Sequence, residues 1–203
     1  MVLSLCDRTG NMVKPWAENG HKCMIVDIQH EPGEHTKGNI TRVGADIRYW
    51  ITPRLNYEIC FAFPPCTNLA VSGARWFKSK GLRGLIDGLE LVESCRQICE
   101  WVDAPWVLEN PVSTLSTYWR KPDYSFNPCD YGGYLDPPGD TYNKKTCLWT
   151  GNGFKIPEKK PVFPIDGSKI HRMPPSADRG DLRSETPLGF AWAVFHANQG
   201  KAA

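Results

Sequence analysis

Two short stretches hold the residues whose types and spacing suit chemistry: Phe63-Pro64-Pro65-Cys66-Thr67 and Glu109-Asn110-Pro111. Each lies just past a short apolar run, residues 58–62 and 106–108, that reads as a buried strand. A cysteine on a proline-stiffened turn at one strand's end, with a glutamate at the next strand's end, makes a nucleophile and acid pair. The thiol is an activated nucleophile where nearby positive charge or a helix N-terminus lowers its pKa. In open α/β sheets such groups gather at the carboxyl ends of strands, so they converge without being close in sequence.

The elements that must position this pair begin at the N-terminus. Residues 2–5 read as a buried strand from their length and β-branched start. Cys6-Asp7-Arg8-Thr9-Gly10-Asn11 reads as a turn. Residues 12–18 read as a helix that admits Pro15 near its first turn, and Asn19-Gly20 stops it. Residues 22–28 form a second strand that delivers Asp27. A strand, a tight glycine turn, a helix, a strand and an acid about 20 residues on is the nucleotide-binding start of a doubly wound fold. The turn lets a ligand approach the backbone, and the acid accepts hydrogen bonds from ribose hydroxyls. Gly10 stands without the rest of a Gly-x-Gly-x-x-Gly. That points away from a dinucleotide pyrophosphate and toward S-adenosylmethionine, which has no phosphate.

Residues 30–37 read as a polar loop. Residues 40–47 lead to Asp46 and Ile47; in a nucleoside-binding fold such an acid holds the adenine amino group while the apolar neighbour packs on the ring. Residues 67–80 read as a long loop in which Arg75, Lys78 and Lys80 flank Trp76. That mixture suits phosphate contact, and equally an ordinary solvated loop. Residues 82–102 carry the longest helical pattern, with Leu82, Leu85, Ile86, Leu89, Val92, Ile98 and Val102 on a core stripe and Gly84 and Gly88 admitting close packing on the sheet. Residues 113–139 have no periodicity. Residues 144–149 read as a strand with Lys144 and Lys145 at its start, and 151–175 are rich in Pro and Lys. Arg183-Ser184-Glu185-Thr186-Pro187 opens a final helix over 188–197, with Thr186 as N-cap and Pro187 in the first helical position.

The 203 residues suggest one domain, 1–203, with a loop-rich insertion over 112–180. Apolar content of 41% and charged content of 23% are ordinary for a globular protein. A net charge of +2 gives no global field for nucleic acid, although a local basic groove is compatible with it. No apolar run approaches the roughly 20 residues that span a bilayer, and the first residues are too short an apolar run for a signal peptide. The expected setting is therefore cytoplasmic, where the eight cysteines stay reduced. There is no Cys-x-x-Cys, and Cys95 and Cys99 have no matching second pair, so no metal site is expected. Most of the cysteines read as small buried hydrophobes.

Two methyl-transfer chemistries need different residues here. Transfer to an exocyclic amine resembles a pattern of Asp, Asn or Ser, then Pro-Pro, then an aromatic; the polar group accepts the amine N–H and the aromatic stacks on the base. Phe63 and Cys66 occupy those places, so no acceptor stands ready. Position 5 of a pyrimidine becomes nucleophilic only after a thiolate adds at position 6, and an acid at ring N3 favours that addition. Cys66 and Glu109 are the right types for both tasks.

On these residues the chain resembles the cytosine-C5 DNA methyltransferases, especially short, divergent, phage-type members. The resemblance rests on residues 5–11 with Asp27, on Asp46-Ile47, on Pro64-Pro65-Cys66, on Glu109-Asn110-Pro111 and on Arg183-Ser184-Glu185-Thr186-Pro187. It spans most of the chain except the middle of 112–180. It implies a Rossmann-like class I S-adenosylmethionine-dependent methyltransferase sheet with helices on both faces and, from the phage-type members, a bacterial or phage-infected host cell as the setting. It implies that Cys66 attacks C6 of a cytosine flipped out of DNA and that Glu109 engages N3. Lys145, or its neighbour Lys144, would sit on a basic strand supporting the site. Cys6, Asp7, Thr9, Gly10, Asn11, Asp27, Ile28, Asp46, Ile47, Phe63 and Pro64 would line the S-adenosylmethionine pocket, with Ser184 and Thr186 closing it. Arg75, Lys78 and Lys80 would face nucleic acid.

Three departures from the family pattern stand out. Cys6-Asp7-Arg8-Thr9 replaces part of a more glycine-rich first motif. Lysines stand in place of an arginine pair on the basic strand. Residues 150–182 leave room for only a small loop, so the target-recognition domain is reduced or absent. That leaves a very short recognition sequence, a specificity partner or homo-oligomer, or a substrate other than ordinary duplex DNA. Two further readings stay open: C5 alkylation from a modified sulfonium donor or on RNA or a nucleotide, and a catalytically silent nucleotide- or nucleic-acid-binding module.

Overall fold

The structure is a computed structural model that describes residues 1–168 and 183–199. Seven strands form one mixed sheet: β1 (Val2–Leu5), β2 (Cys23–Lys37), β3 (Ile40–Gly44), β4 (Ile59–Ala62), β5 (Trp106–Pro111), β6 (Tyr124–Phe126) and β7 (Thr146–Gly151). Their order is β3-β2-β1-β4-β5-β7-β6. The strands β1, β2, β4 and β5 run parallel, while β7 runs antiparallel to both β5 and β6. This is the doubly wound order 3-2-1-4-5-6 with one reversed strand inserted. The chain is α/β and compatible with a Rossmann-like fold.

Strands buried on both faces read as continuous apolar runs, and their alternation divides the core in two. Leu3, Leu5, Met24, Val26, Cys60, Ala62, Trp106 and Leu108 face helix α2 (Phe77–Trp101). Val2, Ile25, Ile59, Phe61 and Val107 face the short helix α1 (Lys14–Glu18) and the last helix of the described residues. Helices therefore cover both faces, as the pattern predicts. Among the described residues, no helix is long and apolar enough to cross a membrane.

Four local expectations are corrected. Residues 30–37 are not all loop: Cys23–Asp27 pairs with Ile40–Gly44 in parallel, but Glu34–Lys37 pairs with the same strand in descending register, an antiparallel hairpin. Its two-residue turn is Gly38-Asn39, with Gly38 at φ +60°, a glycine-first hairpin turn that alternation alone does not reveal. Residues 67–80 are not a long loop either. Val71–Trp76 forms a 3-10 turn, and α2 begins at Phe77, broken at Gly81 (φ 62°, ψ −166°), a conformation essentially reserved for glycine. The strand expected from Lys144 starts at Thr146. Finally, the last helix is Leu188–Asn198 with Pro187 at its N-cap and no side-chain cap, so Thr186 is not the cap.

The stripe on α2 also differs. Its fully buried positions are Gly88, Val92, Cys95 and Cys99, whereas Leu82 and Ile86 are exposed. The cysteines take the core-facing places expected of leucines: Cys6 and Cys95 sulfurs lie 3.7 Å apart, and those of Cys60 and Cys99 3.6 Å apart. Among the described residues no group of three or more His, Cys, Asp or Glu is placed to hold a metal. Gly88 packs against Asn68 and Leu69 rather than the sheet, which ties α2 to the segment that follows Cys66.

The aperiodic stretch after β5 joins the same core. A third helix, α3 (Leu115–Tyr118), leads to Trp119, which stacks on Trp149 of β7 at 5.8 Å. Phe126 stacks on Phe190 at 4.2 Å, with Tyr131 against both. Phe190 belongs to α4 (Leu188–Asn198). Part of the Pro- and Lys-rich 151–175 segment lies outside the described residues.

Candidate functional site

Register explains how distant residues meet. Leu5 pairs with Val26 and with Ala62, and Ala62 pairs with Leu108. One residue beyond that row stand Cys6, Asp27, Phe63 and Glu109, at the same carboxyl edge. The strand order reverses beside β1, so this edge is a topological switch point, where open α/β sheets bind ligands. Because β7 runs antiparallel, with Glu109 opposite Leu148 and Pro111 opposite Thr146, its start comes to the same edge. That reversal brings in the lysines that precede β7.

The loop that carries Cys66 is fixed from three sides. Phe63 N–H donates to the Leu5 carbonyl at 2.9 Å, and Leu69 and Ala70 N–H donate to the Cys66 carbonyl at 2.9 and 2.8 Å. Asn110 Nδ2 donates to the Pro64 carbonyl at 3.0 Å. Lys80 Nζ donates to the Thr67 carbonyl at 2.5 Å. Asn110 is a positioning residue that the sequence quoted within Glu-Asn-Pro without assigning it a role; its buried partner is a carbonyl 46 residues away, a contact no local pattern encodes.

Cys66 is half-buried. Burial pushes its thiol up, and the Glu109 carboxyl pushes it the same way; Lys144 and Arg183 pull it down. These opposed influences place Cys66, Glu109, Lys144 and Arg183 within one electrostatic neighbourhood. Glu109 is also raised by burial and lowered by Lys144. Its Oε1 is sealed from solvent without a hydrogen-bond partner, as is Oδ1 of Asn110. Leaving one such atom unpaired costs about 1–3 kcal/mol, and such a cost is tolerated where the group is needed for something else. Arg183 was quoted within its motif but given no role in the sequence reading.

The lysine assignment changes. Lys144 lines a recess with Phe63, Glu109 and Thr186 and acts on both Glu109 and Cys66. Lys145, the residue named from sequence, is exposed and acts on Cys147 instead. Neighbouring residues entering a strand point to opposite sides, so only one of the pair reaches the site. The recess is narrow, about 10 Å³, room for one water.

The expected cofactor residues fall into two groups. At the β1 end the loop is organised by Asp7, which is buried. Its carboxylate accepts from Ser4 Oγ at 2.7 Å, Gly10 N–H at 2.7 Å and Thr9 Oγ1 at 3.4 Å. Burial nevertheless holds its pKa above the usual value. Asn11 N–H donates to Thr9 Oγ1 at 3.2 Å, and Asn11 Nδ2 donates to the Thr186 carbonyl at 3.4 Å. Thus Thr186 does meet the first loop, while the neighbouring Ser184 is exposed. Gly10 has φ +75° and Cys6 φ +54°; the first suits glycine, the second strains a cysteine. The Cys6 sulfur turns back toward Cys95.

At the β2 end, Asp27 is half-buried and its Oδ1 accepts from Gln29 N–H at 2.8 Å. Ile28 beside it is 67% exposed, an apolar face at the sheet's ligand-binding edge. Asp46 and Ile47 make contacts within the fold. Both Asp46 oxygens are taken by Arg48, at 3.0, 3.2 and 2.5 Å, and Ile47 is buried in the α2-side core. That pair is engaged within the fold, the acid's pKa lowered by its hydrogen bond to Arg48. The glycine turn, Asp27 and the exposed side chain of Ile28 are the groups at this edge that would hold S-adenosylmethionine. It finds no ready partner at Asp46-Ile47.

Of the expected nucleic-acid residues, Lys80 is turned inward to Thr67. Arg75 lies over the Trp76 ring at 5.0 Å, and Lys78 is exposed. The chain matches no protein-family model and no curated protein.

Proposed function

We propose that the chain transfers a methyl group from S-adenosylmethionine to C5 of cytosine in DNA through a covalent bond between Cys66 and cytosine C6. One observation carries this reading: the sealed, unpartnered Oε1 of Glu109 in the same electrostatic neighbourhood as a half-buried Cys66 thiol and the Lys144 ammonium. The α/β sheet order and the residues that resemble the cytosine-C5 methyltransferase motifs support it.

The chemistry assigns a task to each group. Glu109, whose raised pKa favours the protonated carboxyl, gives its proton to ring N3. That draws electrons from C6 as the Cys66 thiolate adds there. Lys144 and Arg183 offset the thiolate charge, which burial opposes. Asn110 holds Pro64, and Lys80 holds Thr67, so the sulfur is presented from a braced loop. The bound cofactor supplies an electrophilic methyl group to the C5 carbon that this addition makes nucleophilic. Loss of the C5 proton to water then expels Cys66 as thiolate, the N3 proton returns to Glu109, and the aromatic ring is restored, with the demethylated thioether S-adenosylhomocysteine as the leaving product. Asp27 would hold the cofactor ribose and Ile28 its adenine face. Eight free thiols suit a reducing cytoplasm.

Mass spectrometry of nucleosides from cells expressing the protein tests the reaction. The expected product is 5-methylcytosine in DNA, absent from cells expressing Cys66→Ala. A cytosine product heavier by anything other than one methyl, or a product confined to RNA, contradicts the donor or the substrate.

A further inference from the structure

A second cavity, of about 420 Å³, opens beside the nucleophile loop where α2 breaks at Gly81. Its size falls within the range of small-molecule sites, and its lining has their character, mostly apolar with a few polar groups. Phe77, Leu82, Leu85 and Tyr118 supply apolar and aromatic surface; Asn68 and Thr114 supply hydrogen-bonding groups; Lys78 and Lys80 supply charge. Thr114 Oγ1 is sealed from solvent with no hydrogen-bond partner. Tyr118 is 57% exposed and Leu82 78% exposed, although both line a concave surface.

The cavity is joined mechanically to Cys66. Asn68 lies two residues beyond it. Lys80, on the cavity wall, bonds the Thr67 carbonyl. Thr114 N–H donates to the Leu69 carbonyl at 3.0 Å, and Leu69 N–H in turn donates to the Cys66 carbonyl. A group seated here touches the segment that carries the nucleophile.

We infer that this cavity receives an unpaired nucleotide next to the target cytosine in the substrate strand. The inference rests on the proposed cytosine-C5 activity. An aromatic wall with an amide, a hydroxyl and the exposed ammonium of Lys78 is the combination that stacks a base, reads its edge and neutralises a phosphate. Arg75 stacked on the exposed Trp76 continues that surface. A base can enter only when it is out of a duplex stack, so the cavity selects unpaired substrate. It also supplies a sequence preference to a chain whose recognition domain is small. Thr114 and Asn68 would read the edge, while Tyr118 stacks on the ring.

The test uses the full chain and short single-stranded DNA oligonucleotides that contain one cytosine. Each is paired with a twin in which one neighbouring nucleotide is abasic, and binding is read by fluorescence anisotropy. Wild type should bind the intact oligonucleotide about tenfold more tightly than the better-matched abasic twin, the scale of one stacked base. Tyr118→Ala should erase that difference and Tyr118→Phe should keep it, which separates lost stacking from lost folding. Thr114→Val should alter which neighbouring base is preferred. Equal binding of intact and abasic oligonucleotides by a wild-type protein that still methylates cytosine overturns the cavity assignment and leaves the activity standing. Tight binding of a free mononucleotide that Tyr118→Ala abolishes, without any strand effect, also overturns it. Absence of both cytosine methylation and oligonucleotide binding in the wild type overturns the activity on which the inference rests.

Discussion

At the scale of single residues, the site is an arrangement of mutually opposed charges. Burial and the Glu109 carboxyl raise the Cys66 thiol, while Lys144 and Arg183 lower it, and the balance is upward. The resting thiol is therefore guarded, and the site must gain positive charge or lose negative charge to make a thiolate. Glu109 raises the thiol through the carboxylate charge it carries where the thiol ionises; Glu109→Gln removes that charge but keeps the shape, so Cys66 should titrate at lower pH and be alkylated by iodoacetamide at lower pH than in wild type. Methyl transfer should nonetheless fall by roughly 10²–10⁴-fold, because the proton for N3 is lost. Lys144→Met should move the thiol the opposite way, upward, whereas Lys145→Met should leave it where it was. Alkylation rates measured across pH distinguish the two lysines.

At the scale of elements, Cys66 is held by a seam between α2 and the loop after β4. Gly88 is the tight point: an added Cβ would lie 3.0 Å from Leu69 Cγ and 3.1 Å from Asn68 Cβ. The segment it would displace is the one whose N–H groups donate to the Cys66 carbonyl. Gly88→Leu should destabilise the protein by about 1–3 kcal/mol, the usual cost of overpacking, even though replacing a helical glycine gains up to about 1 kcal/mol. Urea denaturation measures the shift in midpoint. The Gly81 break has the opposite consequence, since it opens rather than closes space next to the same loop.

At the scale of the molecule, the parallel half of the sheet was legible because β1, β4 and β5 are short apolar runs bounded by turn residues. The carboxyl edge followed from that reading, and Cys66 and Glu109 with it. What pattern could not supply was anything set by pairing across the chain. The Glu34–Lys37 hairpin is too polar to read as a strand, yet β3 pairs with it. Asp46 has a partner two residues on, Arg48, that removes it from the site, and Ile47 turns inward for packing reasons. The reversed β7 brings Lys144 and Lys145 to the edge, and its direction is a tertiary fact; alternation then turns only Lys144 to the site. Leu82 and Ile86 fit a helical stripe but are exposed on α2 just after the Gly81 break. The account as a whole stands on covalent attack by Cys66. Its most direct test is intact-protein mass spectrometry after incubation with S-adenosylmethionine and an oligonucleotide carrying 5-fluorocytosine, whose C5 cannot release a proton. The account predicts a stable protein–DNA adduct mapped to Cys66 and absent from Cys66→Ala; an equal adduct in that variant, or a methylated product formed by it, would contradict the account.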